Sequence, residues 1–257
     1  MGCDKNFKVQ LGLKLRNPMP IKAVLFDMFD TIMLIEKNHE FYSPALMRMY
    51  RYLNKHGIDV SFDKFDAAYI TARDSLYAKA DLNFEEPHFN VRISKALKSL
   101  GFNYGVSNPL VVAATNEFCE EFMKYVRIDE QAKQVIEGLH EKYKLGIISN
   151  FAIPECVLKL LKADGLYELF DVIVVSAAVN KRKPSPEIFQ SALKELGVSV
   201  SEAIFVGDTV DADVEGPKAV GMKVIYIERR SQKPSEKFSP DHTIKSLTEL
   251  PPLLERY

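Results

Sequence analysis

The chain has 257 residues, 47% of them apolar and 27% charged, the ordinary balance of a globular domain. Its 34 basic and 35 acidic residues nearly cancel to a net charge of −1, so general electrostatics give no basis for nucleic-acid or membrane binding. No apolar run reaches the ~18 residues of a bilayer span, and Cys3, Cys119 and Cys156 fit neither a disulfide framework nor a metal-ligand spacing, so cytoplasm is the expected compartment.

Residues 1–20 carry Lys and Arg without a continuous apolar core and read as an N-terminal extension of no assigned function, not as a secretory signal. The apolar run AVLF then predicts a buried strand ending at Asp27. After it the pattern turns helical. Leu46, Met49 or Tyr50, and Leu53 recur at three and four residues before a stop at Gly57; Phe65, Tyr69, Ala72 and Leu76 continue the spacing. Val91, Ala96, Leu97 and Leu100 lead to Gly101, and Phe118, Phe122 and Tyr125 follow. Aromatic residues at this spacing read first as core. From Glu130 onward helices and strands alternate: helix 132–143, strand 145–149, helix 154–163, strand 172–176, helix 186–196, strand 203–206, helix 212–220 and strand 223–227. Such alternation predicts right-handed βαβ units and a parallel sheet. The expected architecture is an α/β core of residues 21–35 and 128–257, split by a helical insert over 36–127 that is placed to act as a lid.

Four short stretches are built to converge: DMFDT (27–31), Ser149–Asn150, Lys183 in KPSP, and DTVDAD (208–213). Three of them sit at the C-terminal ends of apolar strands, which in an open parallel sheet face one crevice where ligands bind. Any one alone has a plainer reading: Asp27 as a cap, Ser149–Asn150 as a turn, Lys183 as a solvated cation beside Lys181 and Arg182. Together they are chemistry. A carboxylate such as Asp27 attacks an electrophilic carbon or phosphorus to give an ester or acyl phosphate that water cleaves. Ser149 and Asn150 supply donors for the developing charge. Pro184 and Pro186 hold Lys183 where it orients Asp27. Asp208 and Asp213 repel unless a cation neutralises them, and a Mg²⁺ ion would take Asp27, Asp208 and the Phe29 carbonyl as its protein ligands. Asp211 is expected in solvent.

In this order FDMFDT, SN, KPSPEIF and VGDTVDADVEGPKAVGM resemble the four motifs of the haloacid dehalogenase superfamily, over residues 21–227, and DHTIKSLTEL resembles a common family tail. The resemblance implies a Rossmann-like α/β core with a helical cap inserted after the first motif. It also implies Asp27 as nucleophile, Thr31 and Ser149 as orienting and hydrogen-bonding groups, Lys183 as charge partner, and Asp208 and Asp213 as the acidic motif. One position departs. Phosphatases of the family carry an Asp two residues after the nucleophile, as acid for the departing alkoxide; here that residue is Phe29, and Asp30 stands one place on. Side chains alternate along a strand, so Asp30 substitutes only through a bulge or altered turn. Halide leaves without a proton, and dehalogenases of the family tend to have an aromatic or other non-acid residue at this position, whereas the GD…D form of the fourth motif resembles that of the Mg²⁺ phosphatases.

The leading expectation is therefore a 2-haloacid dehalogenase needing no cofactor, with Phe29 and Phe151 walling the halide pocket and Ser149, Asn150, Arg48 or Arg51 clamping the substrate carboxylate. The alternative is a Mg²⁺-dependent phosphatase of a small ester, with the proton from water or Asp30; a third reading is a non-catalytic binding protein on the same scaffold. Partners are expected to be a small anionic substrate, with no nucleic acid and no membrane, for a monomer or homodimer.

Overall fold

The computed structural model describes residues 20–36 and 40–257, with Lys79 by its backbone alone, so the N-terminal extension lies outside the described residues apart from Pro20. The chain enters the core through β1 (Ala23–Phe26), all four residues buried. It leaves by β2 (Met33–Ile35) and runs through α1 (Tyr42–Lys55), α2 (Phe62–Asn83), α3 (Phe89–Ser99) and α4 (Pro109–Phe122). It returns through β3 (Val126–Ile128), which pairs antiparallel with β2 in the register Met33↔Ile128 and Ile35↔Val126. Departure and return thus form one short ribbon. Asn108 starts α4, its side chain accepting from the Leu110 amide with Pro109 at the first position, the combination that satisfies an orphaned helix donor and removes another.

Then follow α5 (Ala132–His140), β4 (Lys144–Ser149), α6 (Pro154–Ala163), β5 (Val172–Val175), α7 (Ser176–Val179), α8 (Pro186–Leu196) and β6 (Ala203–Gly207). The chain ends with α9 (Gly216–Ala219), β7 (Lys223–Ile227), β8 (His242–Ile244) and α10 (Leu250–Leu254). Among the described residues six strands form one parallel sheet in the order β5-β4-β1-β6-β7-β8. Side chains alternate across it. Val24 and Phe26 join a large apolar cluster that reaches into the inserted helices, whereas Ala23 and Leu25 pack with Ile188, Phe189 and Ala192 of α8. Burial on both faces is why β1, β4 and β6 read as unbroken apolar runs rather than alternating ones. Because β1 has β4 on one side and β6 on the other, Asp27, Ser149 and Asp208 all emerge at one edge, where the winding direction reverses. Among the described residues no helix is long and apolar enough to cross a membrane.

Two elements differ from expectation. The helix expected over 212–220 is a π-helical turn, Val210–Glu215, running into the single turn of α9. The wider turn carries Asp213 inward, where only a glycine at position 207 fits, since a Cβ there would lie 2.5 Å from the Asp213 Cβ and Cγ atoms. The strand expected to reach Ser176 stops at Val175, and Ser176 opens α7 instead.

Candidate active site

Asp27 prolongs β1 by one residue, its amide donating to the Val206 carbonyl at 2.8 Å. Its side chain is nearly buried and meets the Lys183 ammonium, Nζ to Oδ1 at 2.6 Å; the same Nζ lies 2.8 Å from Asp213 Oδ1 and 5.2 Å from the centre of the Phe205 ring. Burial is the main force on each group. It drives the Asp27 carboxyl from its usual range up to about 7, opposed by Lys183 and assisted by Asp213 and Asp208. Burial alone would lower Lys183, but Asp213 and Asp27 more than offset it and hold the amine protonated. Asp208, raised to about 6 by burial and Asp213, is relieved in part by Arg230.

The loops around these groups are fixed by hydrogen bonds. Asn150 grips the backbone of Lys183 at both ends, donating from Nδ2 to its carbonyl (2.9 Å) and accepting at Oδ1 from its amide (2.8 Å). Its role is thus to seat the lysine loop, although it also lines the cavity. Asp213 Oδ2 accepts from the Thr209 amide (3.0 Å), and Gln232 Nε2 donates to the Asp208 carbonyl (2.6 Å). Arg229 straps the first motif, donating to the carbonyls of Asp30 (3.2 Å) and Thr31 (2.9 Å) and pairing with Asp129 (2.7 Å). Arg230 reaches Asp208 at 3.2 Å and Asp30 at 3.5 Å. Neither arginine was singled out from the sequence, because both follow β7, nearly 200 residues from the motif they serve.

A cavity of about 550 Å³ opens over Asp27, Lys183, Asp208 and Asp213. Phe29, Phe41, Phe122 and Phe151 form one wall, with Phe29 and Phe151 centred 4.9 Å apart and Phe41 and Phe122 4.6 Å apart. Phe29 and Phe151 both line this cavity, while Phe41, which the sequence reading did not single out, and Phe122, whose spacing reads as core, are additions. Asp30 also reaches the cavity. Its backbone takes the left-handed conformation (φ 57°), the altered turn needed to bring a second carboxyl round, and the Ile35 amide donates to its Oδ1 at 3.1 Å. Asp211 is exposed at the rim. Thr31 and Ser149 are fully buried, their hydroxyls without a hydrogen-bond partner among the described residues, and neither lines the cavity.

The proposed clamp from α1 is corrected. Arg48 pairs with Glu117 (2.6 Å) and Glu121 (3.4 Å) of α4, and Arg51 is exposed; neither lines the cavity. Two carboxylates on the adjacent helix hold Arg48 between α1 and α4, so it serves helix packing. The cations that do line the cavity are Arg182, Lys183 and Arg230.

Asp27, Asp208 and Asp213 each offer a buried carboxylate oxygen, all within 4.8 Å of one another. Asp208 Oδ2 and Asp213 Oδ1 have a cation within 3.2 and 2.8 Å yet no aligned hydrogen bond among the described residues. Three carboxylates thus face one buried lysine and the half-exposed Arg230, an excess of negative charge that a hard divalent cation with oxygen ligands fits. The bridge between Phe29 and Met33 is made by Met28 O and Asp30 N.

The family model described as haloacid dehalogenase-like hydrolase matches residues 21–221, and so spans all four motifs. The chain belongs to that family. Among relatives of this haloacid dehalogenase-like hydrolase, the glyceraldehyde 3-phosphate phosphatase of Pyrococcus furiosus is 30% identical over 237 residues, covering 91% of this chain and 92% of that one. A solved HAD phosphatase from Thermococcus onnurineus is 27% identical at a TM-score of 0.62, covering 91% and 98% of the two chains. The 2-haloacid dehalogenase of Pseudomonas syringae pv. tomato superposes at a TM-score of 0.72 over 92% and 99%, with 22% identity, a likeness of fold.

Proposed function

We propose that this haloacid dehalogenase-like hydrolase cleaves a small phosphate monoester, with Asp27 as nucleophile and Mg²⁺ as cofactor. The observation that carries the reading is the charge imbalance of the site: three clustered, buried carboxylates against one buried lysine and the half-exposed Arg230. A halide displacement gains nothing from that excess, whereas a divalent cation held by Asp27, Asp208 and the Phe29 carbonyl would neutralise both the acids and an incoming phosphoryl group. The relative from Pyrococcus, named for a phosphatase activity, supports the same choice.

Asp27 Oδ2 attacks phosphorus while Oδ1 stays on the Lys183 ammonium, so the attacking carboxylate is held in one rotamer and its charge is balanced. The P–O bond to the alcohol breaks, the alkoxide takes a proton, and water then cleaves the acyl phosphate to release phosphate and regenerate Asp27. Asp30 supplies the proton, since its left-handed backbone brings it to the cavity in place of the acid missing at Phe29. Arg182 and Arg230 provide positive charge on the approach.

Phe29 and its aromatic neighbours favour one second reading, the dehalogenase, in which the same carboxylate displaces halide from carbon in an apolar, metal-free pocket. One paired assay separates them. Purified, chelator-treated protein is followed for phosphate release from p-nitrophenyl phosphate and chloride release from 2-chloropropionate, with and without Mg²⁺. The proposal expects phosphate release that requires Mg²⁺; chloride release that survives chelation, without phosphate release, overturns it.

A further inference from the structure

Beside the main cavity lies a second one, of about 170 Å³, that shares Phe41, Asn150 and Phe151 with it. Its lining contains two nearly buried opposite charges, Glu86 (8% exposed) and Arg92 (6% exposed), both from the inserted segment. Burying a charged side chain is unfavourable unless it is paired. These two are left unfinished. Arg92 Nη1 and Nη2 donate to the phenol oxygens of Tyr69 (3.2 Å) and Tyr77 (3.3 Å), and its Cζ lies 5.1 Å from the ring centre of Phe89, but among the described residues it meets no carboxylate and its Nε has no partner. Glu86 feels Arg182 and Arg92 only through space, with no hydrogen bond among the described residues, and burial raises its carboxyl above the usual range.

We propose that Glu86 and Arg92 form the subsite for the non-reacting end of the substrate, and that this end carries a carboxylate beside an ammonium or hydroxyl group. The proposal rests on the phosphate-monoester reading and names its substrate class: a phosphorylated amino- or hydroxy-carboxylate. The chemistry follows from the lining. Arg92 has a planar face of donors that a carboxylate satisfies in pairs, and Tyr77, whose oxygen accepts from Arg92, retains its own proton to donate. Glu86 accepts from an ammonium or hydroxyl. The subsite is formally neutral, so a group with one negative and one positive charge leaves neither protein charge uncompensated. Phe41, Asn150 and Phe151 line both cavities, so the subsite adjoins the reacting end. Tyr42, which donates to Tyr69 at 3.0 Å, ties the subsite to α1.

The first test is of binding, so it stands whether or not phosphate is the reacting group. L-serine, D-glycerate and glycerol are titrated against the Asp27→Asn protein and observed by ligand-detected NMR. The proposal expects the two carboxylates to bind and glycerol not to, with Arg92→Lys weakening both carboxylates at least tenfold. Glu86→Gln weakens serine more than glycerate if the donor is an ammonium, and both alike if it is a hydroxyl. The second test is kinetic. With Mg²⁺, the wild type prefers O-phosphoserine or 3-phosphoglycerate to glycerol phosphate at least tenfold in kcat/KM, and Arg92→Lys removes the preference through KM. Circular dichroism and melting confirm that both near-isosteric variants are folded. Binding of glycerol equal to that of serine and glycerate, or carboxylate binding that Arg92→Lys leaves unchanged, overturns the subsite. If carboxylates bind but no phosphate ester is turned over, the subsite stands and the phosphatase reading falls.

Discussion

Replacing Lys183 by Met in the metal-free protein isolates the energetics of the acidic cluster. The ammonium is 2.6 Å from Asp27 and 2.8 Å from Asp213. At an effective dielectric constant of ~20 each contact has a gross attraction of about 6 kcal/mol. Most of it is offset by desolvation of the three charges, several kcal/mol per ion, so the expected net loss on removing the common partner is about 3–5 kcal/mol. The methionine fills the channel left by the lysine stem, which keeps the packing component below about 1.5 kcal/mol. The loss should depend on pH. With Lys183 present the Asp27 carboxyl already titrates near 7, and without it the value rises further, so at pH 5.5 Asp27 is neutral in the variant and much of the cost disappears. Urea unfolding in EDTA at pH 5.5 and pH 8 measures both losses. An equal loss at the two pH values, or one under about 1 kcal/mol at pH 8, would refute the claim that charge governs this cluster.

The wild type without metal should itself lose stability as pH rises: Asp27 and Asp208 are raised from 3.8 to about 7 and about 6, so the folded state binds extra protons. That contribution is complete below about pH 4 and gone above about pH 7, so Tm in EDTA falls between pH 5 and 8, and millimolar Mg²⁺ restores it at pH 8; a flat Tm in EDTA contradicts the assignment. Gly207→Ala places a Cβ 2.5 Å from Asp213, and the forced shift should lower stability by about 1–3 kcal/mol and weaken Mg²⁺ activation, read from a metal titration of activity. Asn150→Ala deletes two hydrogen bonds to Lys183, with an expected stability loss of about 1–2 kcal/mol and at least a tenfold fall in kcat/KM, whereas wild-type kinetics would show that the lysine loop seats itself. Asp30→Asn should cut turnover of alkyl phosphates about 10²-fold while sparing p-nitrophenyl phosphate, whose leaving group needs no proton; equal losses would remove Asp30 as the acid.

Much of the site was legible because local signals coincided with strand ends. AVLF, LGIIS and AIFVG read as buried strands, which puts Asp27, Ser149 and Asp208 at one sheet edge, and the prolines around Lys183 mark a stiff loop. Periodicity failed where partners are distant. It identified the apolar face of α1 but not that Glu117 and Glu121 would claim Arg48. It gave no hint that Arg92, on α3, would be buried among Tyr69, Tyr77 and Phe89, since an arginine in a helical run reads as solvated. The turn at Asp30 was equally hidden: an Asp tolerates positive φ, but nothing local demands it. The wide turn at Val210–Glu215 kept its acids and its glycine in the pattern while changing its helical type, because the inward pull on Asp213 comes from Lys183, on a different loop.

The antiparallel pairing of Met33–Ile35 with Val126–Ile128 puts the two severed ends of the α-helical excursion shoulder to shoulder. A tight two-residue reverse turn can therefore join them, excising everything between and leaving the α/β core with Asp27, the proposed nucleophile, open to bulk water. If the proposed subsite on the excursion sets selectivity, grafting in an excursion from another member at the same seam would exchange one selectivity for another while Asp27, Lys183, Asp208 and Asp213 stayed in place.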